Sequence, residues 1–187
     1  MTVKETIDKR RAYRSLDSFP VTDELIADLA SCAGLFCSCF NNQPWRFVFV
    51  YDPAVLEKMH GTLSKGNEWA YDASMIVAAF ALKKDDCLIK EREYYLFDTG
   101  MAVAAIVLRA TELGLVAHPI AGYREDEVRN VLGIPSDARI ITLIIMGKHS
   151  SELKPVLSEQ QKQAEIKRPD RLPMNKFVFK NQYREQA

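Results

Sequence analysis

The sequence lacks the long apolar run that a membrane-spanning helix requires. No stretch reaches the ~18 consecutive apolar residues of such a helix, and the longest apolar segments, Ala73–Leu82 and Gly100–Leu108, have the length of core elements. The first residues, from Met1 to Arg14, are polar and basic and do not contain the apolar centre of a secretory signal. We therefore expect a cytoplasmic protein that does not bind a membrane.

The sequence also lacks an excess of charge of either sign. Its 187 residues include 25 Lys and Arg and 25 Asp and Glu, which gives a formal net charge of zero at pH 7. General nucleic-acid binders present a basic surface, so we do not expect nucleic acid as a partner. The length and a hydrophobic content of 48% are typical of one globular domain, here residues 1–187.

Cysteines are too few for a disulfide scaffold. The four cysteines, Cys32, Cys37, Cys39 and Cys87, contain no C-x-x-C pair, so neither a zinc ribbon nor a thioredoxin motif is present. The Cys37-Ser38-Cys39 segment could in principle bind a metal, but packed, reduced cysteines are the favoured interpretation, because free cysteine is among the most buried residue types.

Several common catalytic and nucleotide-binding motifs are absent. There is no G-x-G-x-x-G, no H-E-x-x-H and no G-x-S-x-G, and the glycine pair Gly61 and Gly66 is followed by Asn67 instead of the Lys-Ser/Thr of a phosphate-binding loop. The three histidines, His60, His118 and His149, are scattered along the chain. We expect them to be packed or surface residues and not metal ligands.

Hydrophobic patterns and caps predict helices mixed with strands without regular alternation, which favours an α+β fold. The predicted helices are Thr2 to about Ala12, Asp23–Ala33, Pro53 to Gly61, Glu93–Leu113 and Arg124–Leu132, and the predicted strands are Phe47–Tyr51, Ala73–Leu82, Val116–Ile120 and Arg139–Met146. The polar stretch Ser150–Lys167 is expected to be surface or mobile. The long helix is apolar on nearly every face, which places it at the centre of the fold or at a subunit interface. The apolar patch Phe177–Phe179 is expected to pack on the chain's own core or on a partner subunit.

Five segments carry side chains suited to binding chemistry. The guanidiniums of Arg10-Arg11-Ala12-Tyr13-Arg14 suit a phosphate, and the polar groups of Cys37–Phe47 suit the edge of a heterocycle. Asn67 offers an amide, and the small residues of Pro119–Gly122 let a flat ligand approach backbone N–H groups. The fifth segment, Lys167–Pro173, is basic and contains two prolines. Taken singly, these segments are more typical of a solvated basic face, capped turns and a charged tail than of a binding site.

Together and in this order, the segments resemble the nitroreductase family of FMN-dependent oxidoreductases, over residues 9 to about 179. The resemblance rests on Arg-Arg-x-x-Arg at the start, S-x-x-N-x-Q-P-W-R-F from Ser38, Asn-Glu at 67–68, E-L-G-L at 112–115, P-I-x-G-Y at 119–123 and R-L-P at 171–173. It implies a central, mostly antiparallel sheet flanked by helices. It also implies an intertwined homodimer that exchanges C-terminal segments and holds FMN at its interface.

The resemblance further implies a ping-pong reaction, in which NADH or NADPH reduces the flavin and a small electron-poor acceptor, such as a nitroaromatic or a quinone, is then reduced. It implies no catalytic side chain and no metal. The resemblance also implies roles for individual residues: Arg10, Arg11, Arg168 and Arg171 hold the FMN phosphate beside Ala12, and Arg14 lies near the flavin N1/O2 edge. Asn67 binds the pyrimidine ring, and Ala121 and Gly122 face N5 beyond Pro119. Cys37, Ser38 and Cys39 approach the flavin from the partner subunit, and Asn41 and Gln43 contact the flavin or brace the turn.

The chain departs from the family pattern at three places. Ala12 replaces a serine, Cys37 replaces a proline, and only Lys83–Arg92 is available where larger members insert a helical excursion. We therefore expect a substrate site that is open or walled by Tyr94, Tyr95 and Trp69. These departures leave two other classes open: a flavin-binding carrier or sensor, and a dimeric scaffold whose site has decayed. A flavin-dependent dehydrogenase or dehalogenase of the same family is a further alternative.

Overall fold

A computed structural model describes residues 1–183, and this part of the chain forms six α-helices and seven strands. The helices are α1 (Val3–Lys9), α2 (Asp23–Gly34), α3 (Pro53–Thr62), α4 (Tyr94–Glu112), α5 (Glu125–Leu132) and α6 (Glu159–Ile166). The strands are β1 (Leu16–Asp17), β2 (Trp45–Val50), β3 (Met75–Leu82), β4 (Leu88–Ile89), β5 (Arg92–Glu93), β6 (Leu115–Ile120) and β7 (Ala138–His149). All nine predicted elements are present with small changes of boundary, and the prediction of an α+β fold is confirmed.

Two differences from the predicted elements affect the candidate site. Helix α1 begins at the expected capping box of Thr2 and Glu5 but ends at Lys9, because Arg10 turns out of helical backbone with φ −58° and ψ 124°. Helix α6 lies inside the segment that was expected to be surface or mobile, and it begins with a second capping box, formed by Ser158 and Gln161. Both differences affect the basic segments Arg10–Arg14 and Lys167–Pro173, because they determine which arginine side chains are directed toward the candidate site.

Strand β7 organises the main sheet. It pairs antiparallel with β1, β3 and β6, and β2 pairs antiparallel with the other side of β3. The pairing of Leu16 with His149 brings the arginines that precede β1 to the end of β7. Ser150 N–H then donates to Ser15 O at 2.9 Å, so the chain that leads from β7 to α6 runs beside these arginines.

Both faces of the sheet are buried. On β3, Ile76 and Ala78 pack in one apolar cluster with residues of α3 and α5, whereas Met75 and Val77 pack in a second cluster with residues of α2 and α4. This is why β3 is almost continuously apolar in sequence, since successive side chains of a strand point to opposite faces. Among residues 1–183, no helix has the length and hydropathy to cross a bilayer.

The apolar tail does not join either cluster. Leu172 and Met174 are each 70% exposed and Phe177 is 60% exposed. At the start of α4, Phe97 is 61% exposed as well, although the middle of that helix is buried. The sequence left open whether the apolar patch Phe177–Phe179 packs on the chain's own core or on a partner subunit. The structure does not show packing on the chain's own core.

Candidate functional site

A basic concavity lies where the segment after α1 meets α6 and the segment Lys167–Pro173. It is a cavity of about 450 Å³, within the usual range for small-molecule sites. Its walls contain six of the residues proposed from the resemblance, together with three polar residues of α6 and its cap. The wall residues are Arg10, Arg11, Ala12, Arg14, Ser158, Gln160, Gln161, Ala164, Arg168, Pro169 and Arg171.

Two of the five arginines hold the cavity together. One Nη of Arg11 donates to the carbonyl oxygens of Ala164 and Glu165, at 2.7 and 3.1 Å, and thereby satisfies carbonyls in the last turn of α6. One Nη of Arg168 donates to Arg10 O at 2.9 Å. These contacts hold the segment Lys167–Pro173 and helix α6 against the N-terminal segment. In both guanidiniums, some hydrogen-bond donors are therefore already occupied by backbone carbonyls.

The remaining arginines, Arg10, Arg14 and Arg171, have no carboxylate partner within salt-bridge distance among residues 1–183. Burial lowers the pKa of Arg10, and the like charges of Arg168, Arg171 and Arg11 lower that pKa further. Burial also lowers the pKa of Arg14, against the opposing effect of Glu165. A cluster of like charges in which Glu165 is the one carboxylate that acts on Arg14, and in which no guanidinium forms an ion pair among the described residues, favours the binding of an anion.

A buried carboxylate positions this arginine segment. Glu165, at the end of α6, is only 6% exposed and accepts the backbone N–H groups of Arg14 and Ser15 at 2.7 and 3.2 Å. Its other neighbour is His149, whose Nε2 lies at 3.6 Å. Helix α6 is thus docked by charge-assisted hydrogen bonds, which are stronger than neutral ones.

The sequence analysis missed Ser158, Gln160 and Gln161 as wall residues. The signal was present, because Ser158-x-x-Gln161 is a capping box and marks a helix start. The polar composition of the segment concealed it. Gln161 also donates its side-chain N–H to Gly66 O at 2.9 Å, so α6 is joined to the Asn67 loop.

The structure brings together two predicted segments that are far apart in sequence. Asn67 Nδ2 donates to Gly122 O at 3.0 Å, and a Cβ atom on Gly122 would lie only 2.3 Å from that nitrogen. Gly122 therefore has to be glycine while the side chain of Asn67 keeps this position. Ala121, beside it, lines a separate cavity of about 350 Å³ with Tyr123, and Pro119 is exposed.

A buried stack lies behind the arginines. The rings of Trp69 and His118 are stacked with centroids 4.7 Å apart, and the Arg14 guanidinium lies 5.7 Å from the Trp69 ring centroid. His118 Nδ1 is 3.1 Å from Tyr13 O. Burial lowers the pKa of His118 to about 4, so its ring is neutral at pH 7.

Of the two alternatives for the substrate site, walls formed by Trp69 and Tyr95 do not agree with the structure, and an open site stays a prediction. Trp69 is 1% exposed and Tyr95 is 7% exposed, because both rings are used in packing. In place of a helical excursion, the chain between β3 and α4 forms a short turn and the β4–β5 hairpin. The segment is as short as the sequence predicted.

The cysteine-containing turn does not contribute to the arginine-lined cavity within this chain. Ser38 Oγ accepts the backbone N–H of Gln43 at 2.9 Å, and Gln43 Nε2 donates to Asn41 O at 3.1 Å. Gln43 therefore braces the turn. Phe40, Asn41 and Gln43 all have positive φ, between 49° and 59°, a backbone conformation that is costly for residues other than glycine.

The expectation of packed, reduced cysteines is wrong for three of the four, because two are oxidised and Cys37 is exposed. Cys39 and Cys87 form a disulfide across 48 residues of sequence, whereas Cys32 and Cys37 are free. The β4–β5 hairpin carries Cys87 to the turn, a long-range approach that spacing could not indicate. A carboxylate oxygen of Asp86 lies within 4.8 Å of both sulfur atoms, but sulfurs joined in a disulfide are not metal ligands.

Comparisons with known proteins agree with this architecture. The model of the nitroreductase family matches residues 7–148. A putative NADH dehydrogenase/NAD(P)H nitroreductase of Archaeoglobus fulgidus is 29% identical over 148 residues, which cover 76% of this chain and 83% of that protein. An uncharacterized 15.4 kDa protein of Mycolicibacterium smegmatis is 31% identical over 87 residues, covering 46% of this chain and 57% of that protein.

Among solved structures, an oxidoreductase containing FMN superposes with a TM-score of 0.85. The match covers 100% of this chain and 95% of that one at 24% identity. At this identity the likeness shows a shared fold.

Proposed function

The chain belongs to the nitroreductase family, and we propose that it is an FMN-dependent NAD(P)H oxidoreductase. When bound, FMN supplies the redox chemistry: it takes a hydride equivalent from NADH or NADPH and passes electrons to an electron-poor acceptor such as a nitroaromatic or a quinone. The observation that carries the proposal is the cavity lined by five arginines, none of which forms an ion pair with a carboxylate among the described residues.

The arginines are proposed to hold the FMN phosphate. Arg10 and Arg171 have donors to spare, and guanidinium forks match phosphate oxygens with paired hydrogen bonds. Arg11 and Arg168 add positive charge while their Nη groups secure the tail and α6. Ala12 contributes a small side chain to the cavity wall, without the hydroxyl that the family pattern carries there.

The flavin ring is proposed to lie toward Asn67, Ala121 and Gly122. The Asn67 amide is held by its hydrogen bond to Gly122 O, so its orientation is set before any ligand binds. Arg14 lies over the Trp69 face, and its positive charge would stabilise negative charge near the N1/O2 edge. Because His118 is neutral behind it, Arg14 is the cation that acts there.

We also propose a homodimer in which Cys37, Ser38, Cys39 and Asn41 approach the partner's flavin. Two observations support this. The turn that contains them lines no part of the chain's own arginine cavity, and large apolar side chains at Phe40, Phe97 and Phe177 are more than half exposed. Exposed apolar groups of this size are typical of association surfaces.

The direct test is an absorbance titration of the purified protein with FMN, followed by anaerobic addition of NADH or NADPH. We expect perturbed flavin bands on binding and bleaching of those bands by at least one of the two nucleotides. Reoxidation by a quinone or a nitroaromatic should then restore the bands. Absence of FMN binding would overturn the proposal as a whole.

A flavin-binding carrier or sensor is the second candidate, and Ala12 in the cavity wall favours it, since the phosphate site has one hydroxyl fewer. In that case FMN binds and its bands remain oxidised under excess NADH and NADPH. The bleaching step separates the two functions, because binding is common to both.

A further inference from the structure

We propose that His118 is a positioning residue, which holds Arg14 in place for the reduced form of the flavin. It acts through the backbone carbonyl of Tyr13 and the ring of Trp69, and it is not among the residues that line the arginine cavity. The inference rests on the function proposed above and adds a residue to it that does not contact the ligand.

The peptide unit between Tyr13 and Arg14 is held at both ends by buried side chains. Its carbonyl oxygen lies 3.1 Å from His118 Nδ1, and its N–H donates to the Glu165 carboxylate at 2.7 Å. His118 is 7% exposed and Glu165 is 6% exposed. Because the two side chains come from β6 and α6, a rotation of this peptide leaves at least one buried polar group without its partner, which is costly.

The hydrogen bond to Tyr13 defines the protonation of His118. A carbonyl oxygen only accepts, so Nδ1 carries the proton that is donated to it. Burial is the main cause that lowers the pKa of His118 to about 4, against the raising effect of the Tyr13 carbonyl, and the charges of Arg14 and Arg10 lower that pKa as well. The ring is therefore neutral at pH 7 and does not repel Arg14.

The same imidazole ring supports the side chain of Arg14. It stacks on the Trp69 ring with centroids 4.7 Å apart and an angle of 25° between the planes, and the Arg14 guanidinium lies over the Trp69 ring, 5.7 Å from its centroid. Trp69 is 1% exposed, so its ring is fixed by packing. A guanidinium over a fixed aromatic face gains a cation–π attraction that favours this position.

His118 also joins the segments that are proposed to hold the flavin ring. Trp69 lies two residues after Asn67, and His118 lies four residues before Gly122. The Trp69–His118 stack and the hydrogen bond of 3.0 Å between Asn67 and Gly122 therefore tie the same two segments together at two points. Through Tyr13, His118 connects both segments to the arginines.

The two redox forms of the flavin differ in how much they depend on Arg14. The ring of oxidised FMN is neutral, whereas reduced FMN at pH 7 carries negative charge at the N1/O2 edge, where Arg14 is proposed to lie. A displaced guanidinium therefore weakens the binding of reduced FMN more than that of oxidised FMN. A residue that only stabilises the fold has no such selective effect.

The test compares the affinities for both redox forms in wild type and variants. Fluorescence titration gives the dissociation constant of oxidised FMN, and the midpoint potential of the bound flavin then gives that of reduced FMN. His118→Phe keeps a ring against Trp69 and loses the donor to Tyr13 O. We expect it to weaken binding of reduced FMN about tenfold more than binding of oxidised FMN, which makes the midpoint potential about 30 mV more negative for this two-electron couple.

Two further variants separate positioning from a loss of structure. His118→Asn places an amide nitrogen near the position of Nδ1 and should restore most of the lost affinity for reduced FMN. His60→Phe is the matched control, because His60 also stacks on an aromatic ring, that of Tyr71 at 4.6 Å, but lies on α3 and outside the cavity wall. This control should behave as wild type.

A double-mutant cycle tests whether His118 acts through Arg14. Arg14→Gln removes the charge itself and should reproduce the selective loss for reduced FMN. His118→Phe, added to Arg14→Gln, should then change the ratio of the two dissociation constants little further, whereas independent effects add. Additive effects would overturn the proposal.

Histidine side-chain NMR of the flavin-free wild-type protein is a second measurement, which serves if the His118 variants do not fold. We expect a neutral ring with the proton on Nδ1 of His118 at pH 7, and a proton on Nε2 would contradict the inference. An equal loss for both redox forms in His118→Phe, or no loss, would refute the inference and leave the proposed function intact. Wild-type protein that binds no FMN would refute both.

Discussion

At the residue scale, five arginines that look equivalent in sequence have different roles in the structure. Arg11 and Arg168 direct their donors to backbone carbonyls, whereas Arg10, Arg14 and Arg171 have no carboxylate partner among residues 1–183. The difference follows from the early end of α1 at Lys9 and from the docking of α6. Residue type alone could not separate the two groups.

This division predicts different phenotypes for neighbouring substitutions. Arg10→Gln or Arg171→Gln should each weaken FMN binding about tenfold or more, because a hydrogen bond between charged groups contributes roughly 1.5–3 kcal/mol. Arg11→Gln should mainly lower the free energy of unfolding, since its carbonyl partners lose a donor. Flavin fluorescence titration and urea unfolding measure the two effects. Lys58→Gln, an exposed charge on α3, is the control, and equal effects of all four variants on affinity would contradict the division.

His118 makes the stability of the fold depend on pH. Its pKa is about 4 in the folded chain and about 6.5 when unfolded, so the unfolded state binds the proton more readily. The stabilisation is complete above pH 6.5 and decreases as the pH falls toward 4, by about 3 kcal/mol in total. Urea unfolding between pH 7 and pH 4 should show a steeper loss for wild type than for His118→Gln. Parallel curves for the two proteins would contradict the assignment.

At the element scale, α6 couples the tail to the arginine segment. Its last turn carries Glu165, which accepts two backbone N–H groups from the segment before β1, and its first turn carries Gln161, which reaches the loop of Asn67. A single eight-residue helix thus connects three of the five segments singled out in the sequence.

Removal of the Glu165 carboxylate should undock α6. Glu165→Ala leaves the N–H groups of Arg14 and Ser15 without their acceptor, and we expect a loss of roughly 2–5 kcal/mol in the free energy of unfolding. Glu165→Gln keeps one acceptor oxygen and should lie between alanine and wild type. Urea unfolding measures the loss, and limited proteolysis should show faster cleavage of the chain between β7 and α6 in the alanine variant. An alanine variant as stable as wild type would show that the docking contributes little.

A second prediction at this scale concerns the contact between the Asn67 loop and the segment that follows β6. Gly122→Ala places a Cβ atom against Asn67 Nδ2 and should displace that side chain, which weakens FMN binding at least several-fold. Gly61→Ala, where a Cβ atom meets nothing within 4 Å, is the matched control and should leave binding unchanged. Isothermal titration with FMN distinguishes the two, and a crystal structure of Gly122→Ala with Asn67 unmoved would refute the steric argument.

At the scale of the whole molecule, the exposed apolar side chains of Phe97, Met174 and Phe177 are the structural features on which the proposed homodimer rests. A single chain already buries both faces of its sheet, and these three side chains belong to neither of its two apolar clusters. In the proposed homodimer, a second copy would cover these side chains with the same surface, as is usual for symmetric dimers.

We therefore expect a dimeric mass by light scattering at micromolar concentration. Phe97→Asp places a charge on the exposed start of α4 and should shift the protein toward monomer, with a parallel loss of FMN affinity if the flavin site is shared. Tyr71→Asp, at an aromatic residue exposed to 48% in the segment Glu68–Asp72 beside α3, should remain dimeric. A monomeric wild-type protein would remove the basis for a shared site.

The sequence by itself determined nine elements of this protein, but not α6 or the two-residue strands β1, β4 and β5. Capping boxes, apolar runs and helix-ending glycines act over a few residues, which is why those nine could be predicted locally. The sequence also determined the family, because five short patterns recur in a fixed order. The tertiary structure alone decided which arginines keep free donors, that α6 closes the cavity, that Trp69 is buried, and that Cys87 reaches Cys39. Each of these depends on residues about 50 to 150 positions apart being brought together by strand pairing and packing, and no local pattern encodes such an approach.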